Sequence, residues 1–116
     1  MGKRARRREK VAAPTSDYAD AEGNVLTLRG SLSAATRREY MRVAGASPLS
    51  REDAWQRATE FLFERLAVRW VAAGLPIERQ RELLGRYRMA SQEERLWVRG
   101  VLREHVAEHF PELDAP

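Results

Sequence analysis

The sequence contains no cysteine, which excludes disulfide bridges, thiolate metal sites and a cysteine nucleophile. It also has no apolar run approaching the roughly 18 residues of a membrane span, and its basic N-terminus lacks the apolar stretch of a secretory signal. These absences predict a cytoplasmic protein with no membrane association. The 116 residues suffice for one compact domain, and two independent cores are not expected.

Catalytic motifs are missing as well. There is no glycine-rich phosphate-binding loop and no nucleophile elbow, so we predict that the protein is not an enzyme and needs no cofactor. His105-Val-Ala-Glu-His109 does match the H-x-x-E-H pattern of one zinc-peptidase group. Only seven residues follow it, and helix C-termini favour histidine for dipole reasons, so we interpret both histidines as structural. A metal site at His105 and His109 is the alternative.

Lysine is confined to positions 3 and 10, in a segment of unusual charge. Residues 1–10 hold six basic side chains against one Glu, whereas the rest of the chain has 15 Arg against 16 acidic residues. This composition predicts a disordered basic tail over residues 1–16 and a single domain over 17–116. The basic residues that could bind nucleic acid are Lys3, Arg4, Arg6, Arg7 and Arg8 in the tail, and Arg95, Arg99 and Arg103, four residues apart near the C-terminus.

The order of sequence patterns predicts a mainly α fold, in which a small N-terminal β-hairpin packs on a bundle of about four helices. The hairpin turns at Glu22-Gly23-Asn24 and places Leu26 and Leu28 on one face; its exposed edge offers self-association. Ser33 and the capping box Ser91-Gln-Glu-Glu94 begin helices, and Pro111 blocks the last one. The predicted helices cover 33 to about 44, 51–73, about 76–88, and 91 to 109 or 110.

The predicted helix 51–73 has the clearest apolar arc, which extends from Trp55 through Leu66 to Trp70. Two interpretations are open for its side chains. They can form the internal core, or they can line a groove that binds a protein partner, with two arginines at its rim. The partner-binding candidates are Trp55, Phe63, Leu66 and Trp70 in the groove, and Arg65 and Arg69 at the rim.

Two short motifs carry a family resemblance. Gly23-Asn24-Val25-Leu26-Thr27-Leu28-Arg29, followed by the Leu32-Ser33 helix start and a helical body ending at Pro111, resembles the small tail assembly chaperones of long-tailed bacteriophages and prophages. The resemblance covers roughly residues 17–110 and does not include the basic tail. It implies a non-catalytic protein that binds the apolar helical segments of a tape-measure or other tail structural protein. The alternative is a small nucleic-acid-associated protein that uses residues 3–10 and the arginines of the last helix.

Overall fold

The computed structural model describes residues 14–45 and 51–116, which fold into a four-stranded antiparallel sheet with helices. The strands lie in the order β1-β2-β3-β4. The predicted N-terminal hairpin and four helices are present in the described residues, but the fold is mixed α/β rather than mainly α with one hairpin. In chain order the elements are β1 (Thr15–Ala19), β2 (Val25–Arg29), α1 (Ala34–Gly45), α2 (Arg51–Leu66), β3 (Ala67–Ala72), β4 (Leu75–Ile77), α3 (Gln80–Arg88) and α4 (Gln92–His109).

The N-terminal hairpin forms where the sequence predicts it. The Asp20 carboxylate accepts hydrogen bonds from the backbone N–H groups of Glu22 and Asn24, both at 2.9 Å, which fixes the turn. Leu26 and Leu28 point to the same side of β2 and are completely buried. β1 of the hairpin starts at Thr15, and residues 1–13 of the predicted tail lie outside the described part of the chain.

The predicted long helix 51–73 is wrong in its last third. α2 ends at Leu66, and the chain continues directly into β3, which pairs with β2. Six residues can satisfy either a helical or an alternating pattern, and in Ala67–Ala72 the pairing partner decides. The side chain of Trp70 lies on the buried face of the sheet, whereas that of Arg69 lies on the exposed face.

The second hairpin explains why the next helix is shorter than predicted. Ala73 and Gly74 have φ angles of 53° and 80°, the left-handed geometry of a two-residue hairpin loop, so Gly74 turns a hairpin rather than ending a helix. Pro76, predicted to open a helix, lies opposite Val71 in the short edge strand β4, where its missing N–H disrupts no sheet ladder. α3 consequently begins at Gln80 instead of at about residue 76.

The other helix boundaries follow their local signals. Ser33 Oγ accepts the Thr36 N–H at 3.1 Å at the start of α1. Ser91 and Glu94 form the predicted capping box of α4, which ends at His109 before Pro111. Residues 46–50, which precede the predicted helix 51–73, lie outside the described ranges. None of the described helices is both long and apolar enough to cross a bilayer.

One continuous core lies between the sheet and the helices. Its largest members include Leu26, Phe63, Trp70 and Tyr40, all at most 1% exposed. Ion pairs brace the helices around it: Arg88 binds Glu60 at 2.9 Å, and Arg86 binds Glu94 at 2.7 Å. The C-terminal segment is held against α1, where Arg37 binds Glu112 at 2.5 Å and Tyr40 donates to the Asp114 carbonyl.

Two glycines give opposite stability predictions. Gly74→Ala should destabilise the protein by about 1 kcal/mol, because the positive φ is unfavourable for a residue with a Cβ. Gly100→Ala, inside α4 and with open space around it, should stabilise by about 0.5–1 kcal/mol. Urea unfolding followed by circular dichroism measures both. Equal effects of the two substitutions would contradict the hairpin geometry.

Candidate binding surface

The structure divides the six predicted partner-binding residues between the core and the surface. Phe63 and Leu66 are 0% exposed and Trp70 is 1% exposed, so these three side chains do not line an open groove. The reason is the change from helix to strand after Leu66, which directs Trp70 into the layer between sheet and helices. Its ring packs edge-on against Phe63, with 5.7 Å between the centroids.

The two predicted rim arginines lie on different elements. Arg65, near the end of α2, stacks over the Phe61 ring at 4.6 Å and contacts Glu64 at 3.2 Å. Arg69 is in β3 and contacts Glu78 at 3.3 Å across the exposed side of the sheet. The helical spacing that was expected to align them along one helix is therefore absent.

Trp55 is the predicted groove residue that stays at the surface, with 38% of its area exposed. It lies in the first half of α2. Arginines flank its ring: the Arg99 guanidinium is 4.8 Å from the centroid and that of Arg51 is 6.0 Å away. Trp55 lines one cleft directly and borders a second through Arg99, and we call Trp55 with these two clefts the Trp55 surface.

The first cleft, between α1, α2 and the C-terminal segment, is mainly apolar. It has a volume of about 360 Å³, and Trp55 forms part of its wall. Small side chains dominate the lining, which leaves room for a partner's side chains to approach the backbone. The apolar lining residues are Tyr40, Ala44, Ala54, Ala58, Ala115 and Pro116.

The second cleft, between α2 and α4, is smaller and polar, with a volume of about 140 Å³. Arg99 joins it to Trp55, because the same guanidinium that stacks on the indole also lines this cleft. Leu96 on its margin is 57% exposed. The polar side chains around it are Gln56, Thr59, Tyr87, Gln92, Arg95 and Arg99, with Glu52 at the edge.

Tyr87 lines the polar cleft and is 5% exposed, and the charges around it shift the pKa of its phenol. Burial raises the pKa of the Tyr87 phenol, and the Glu60 carboxylate raises it further. Arg95 and Arg99 act in the opposite direction, since both guanidinium charges favour the phenolate. The net shift is upward, so Tyr87 remains a neutral hydroxyl between two cations at neutral pH.

The three arginines of the last helix do not form one uniform basic stripe. Arg103 Nε donates to the Pro116 carbonyl at 3.1 Å, and Arg99 is tucked against Trp55 with a side chain only 19% exposed. The Arg95 guanidinium forms no ion pair with a carboxylate of the described residues. The other nucleic-acid candidates, Lys3, Arg4, Arg6, Arg7 and Arg8, lie outside the described ranges.

His105 has a structural environment rather than that of a metal ligand. Its Nε2 lies 2.9 Å from the Arg29 carbonyl, which can only accept, so this nitrogen carries the proton. Nδ1 therefore accepts from the Tyr18 hydroxyl at 2.7 Å, and no lone pair is left for a metal. His109 stacks beside it and lies 3.5 Å from Ser16 Oγ. The described residues contain no group of three His, Asp or Glu side chains placed to hold an ion.

No protein-family model, characterised protein or solved structure matches the chain in the comparisons. Sequence reasoning identified Trp55 and two of the arginines, but it missed Tyr87 and the alanine-lined cleft. Ala54 and Ala58, four residues apart, were the available signal for the cleft, because small residues at that spacing form a groove along a helix.

We predict that the stability of the protein falls as the pH decreases below about 6.5. Burial, with a smaller contribution from the charge of His109, lowers the pKa of His105 in the folded state, although the hydrogen bond to Arg29 and the charge of Glu108 act to raise it. The unfolded chain therefore takes up a proton first as the pH falls, and the stability present above the unfolded pKa is progressively lost. Thermal unfolding between about pH 7.5 and 5.5 measures this loss.

His105→Asn should flatten this pH dependence, whereas the matched change His109→Asn should retain most of it. An equally steep pH dependence in the His105 variant would contradict the assignment of the effect to the buried imidazole.

Proposed function

We propose that this protein is a non-catalytic binding module that holds an apolar, helical segment of a protein partner on the Trp55 surface. The observation that carries the proposal is the exposure of Trp55, at 38%, beside a mainly apolar cleft of about 360 Å³ whose lining includes four alanines. Tryptophan is among the residues most enriched at the energetic centre of protein interfaces. Small residues in the adjacent cleft allow a partner helix to approach closely.

The surroundings of Trp55 fit reversible binding. Met41 on α1 and Leu96 on α4 are each 57% exposed, so the elements on both sides of α2 carry accessible apolar area. Charged side chains such as Arg51 and Glu52 supply a polar rim around this area. A polar rim keeps the free protein from associating indiscriminately, while the apolar centre supplies most of the binding free energy.

The resemblance of residues 17–110 to phage tail assembly chaperones gives this proposal its specific form. A hydrophobic helical stretch of a tape-measure or other tail structural protein, met in the cytoplasm before tail assembly, is the first natural partner to test. β1 lies at the edge of the sheet and offers a second contact, through strand addition or self-association.

The test uses a labelled amphipathic peptide of about 18 residues, which forms about five helical turns. One face carries Leu, the other Gln, and Lys at each end provides solubility. We expect saturable binding by fluorescence anisotropy that changes less than about threefold between 50 and 200 mM salt, since apolar contacts are little screened. Trp55→Ala should weaken binding about tenfold or more.

Leu75→Ala is the matched control, because Leu75 is also apolar and 68% exposed but begins β4, away from the Trp55 surface. Its affinity should stay within about twofold of the wild-type value. Absence of peptide binding, or equal losses in both variants, would refute the proposal. Binding of a duplex DNA of about 20 base pairs that falls steeply between the same salt concentrations would instead favour the nucleic-acid alternative.

A further inference from the structure

The polar cleft between α2 and α4 contains more hydrogen-bond donors than acceptors to receive them. Arg99 Nε is buried and has no hydrogen-bond partner among the described residues, which is unusual for a charged group. Its Nη1 is 3.9 Å from Glu52, too long for a good hydrogen bond, and that carboxylate is 70% exposed. Arg99 is therefore held in place by Trp55 while its hydrogen-bonding capacity is incompletely used.

Arg95 lies one helical turn before Arg99 and faces the same cleft. Tyr87 lines the same cleft, and both guanidinium charges act to lower the pKa of its phenol. Gln92, the first residue of α4, adds an amide donor to the lining of the cleft. The guanidinium groups of Arg95 and Arg99 and the Tyr87 hydroxyl thus line a space of about 140 Å³, which is large enough for a side-chain carboxyl group.

The charges of the side chains that line the polar cleft indicate which kind of anion it would bind. Arg95 and Arg99 contribute two positive charges, and Glu52 at the edge contributes one negative charge. Glu60 also influences Tyr87, but it is already bound by Arg88 through two hydrogen bonds of 2.9 and 3.3 Å. The remaining single positive charge matches a carboxylate better than a phosphate dianion.

We propose that the α2/α4 cleft is a carboxylate-binding site, occupied by an acidic side chain of the partner segment. This inference rests on the proposed function, since it adds a chemical requirement to the segment held on the Trp55 surface. The partner's Leu face lies against Trp55 and the alanine-lined cleft, and a Glu or Asp beside that face enters the polar cleft. Arg99 couples the two, because it contacts the indole with one face and lines the polar cleft.

The first arm of the test needs no peptide. Sodium acetate is titrated into ¹⁵N-labelled protein, with sodium chloride at matched ionic strength as the reference, and the arginine Nε–H resonances are followed by NMR. We expect a saturable shift of the Arg99 and Arg95 signals with acetate that chloride does not reproduce. Sodium phosphate, titrated separately, should produce a weaker response at neutral pH. A stronger phosphate response would overturn the assignment to a carboxylate.

Arg95→Gln should abolish the acetate response, and Arg38→Gln is the matched control. Arg38 is an exposed arginine of α1, so its substitution removes the same charge without touching the cleft. Loss of the response in both variants would reduce the effect to general electrostatics and overturn the proposal. Equal and unsaturated shifts with acetate and chloride would also overturn the proposal.

The second arm compares the neutral Leu/Gln peptide with an otherwise identical peptide in which two Gln beside the Leu face are replaced by Glu. The acidic peptide should bind about three- to tenfold more tightly to the wild-type protein, and Arg95→Gln should remove this advantage. If both peptides bind equally well, the carboxylate site is refuted and the proposed function stands. If neither peptide binds while acetate does, the proposed function fails and the cleft is a site for free small carboxylates.

Discussion

The antiparallel pairing of β2 with β3 joins two hairpins that are distant in the sequence, and the other elements are arranged around it. Leu26 lies opposite Trp70 in this pairing, and both side chains enter the core. Trp70 contacts Phe63 of α2 on one side, and the Arg86 guanidinium of α3 lies 5.0 Å from its ring centroid. One strand pair therefore fixes the sheet, the end of α2 and the position of α3.

The last helix is attached to the opposite edge of the same sheet by hydrogen bonds rather than by apolar contacts alone. His105 of α4 bonds to the Tyr18 hydroxyl of β1 and to the Arg29 carbonyl of β2. Such a network is directional, so it sets how α4 is rotated as well as where it lies. That rotation brings Arg95 and Arg99, which precede His105 by about 2.8 and 1.7 helical turns, to the side of α4 that faces α2.

The Trp55 surface is a consequence of this arrangement. The sheet covers the C-terminal part of α2 through Phe63 and Leu66, while Trp55 lies near the other end of the helix. Arg99 covers one part of the indole, and the remaining area borders the alanine-lined cleft. A residue so placed contributes less to the core than its size allows.

Local sequence signals determined the elements whose hydrogen bonds close within a few residues. The first hairpin depends on Asp20 and Gly23, and the boundaries of α4 on the Ser91–Glu94 capping box and Pro111, so both were predictable. Tertiary structure alone decided that Ala67–Ala72 is a strand, because that short segment suits a helix or a strand equally well and its partner β2 is distant in sequence. The same pairing decided that Trp70 is buried and Trp55 is exposed. The apolar pattern of the sequence identifies side chains that can enter a core, but it does not determine which of them the packed sheet covers.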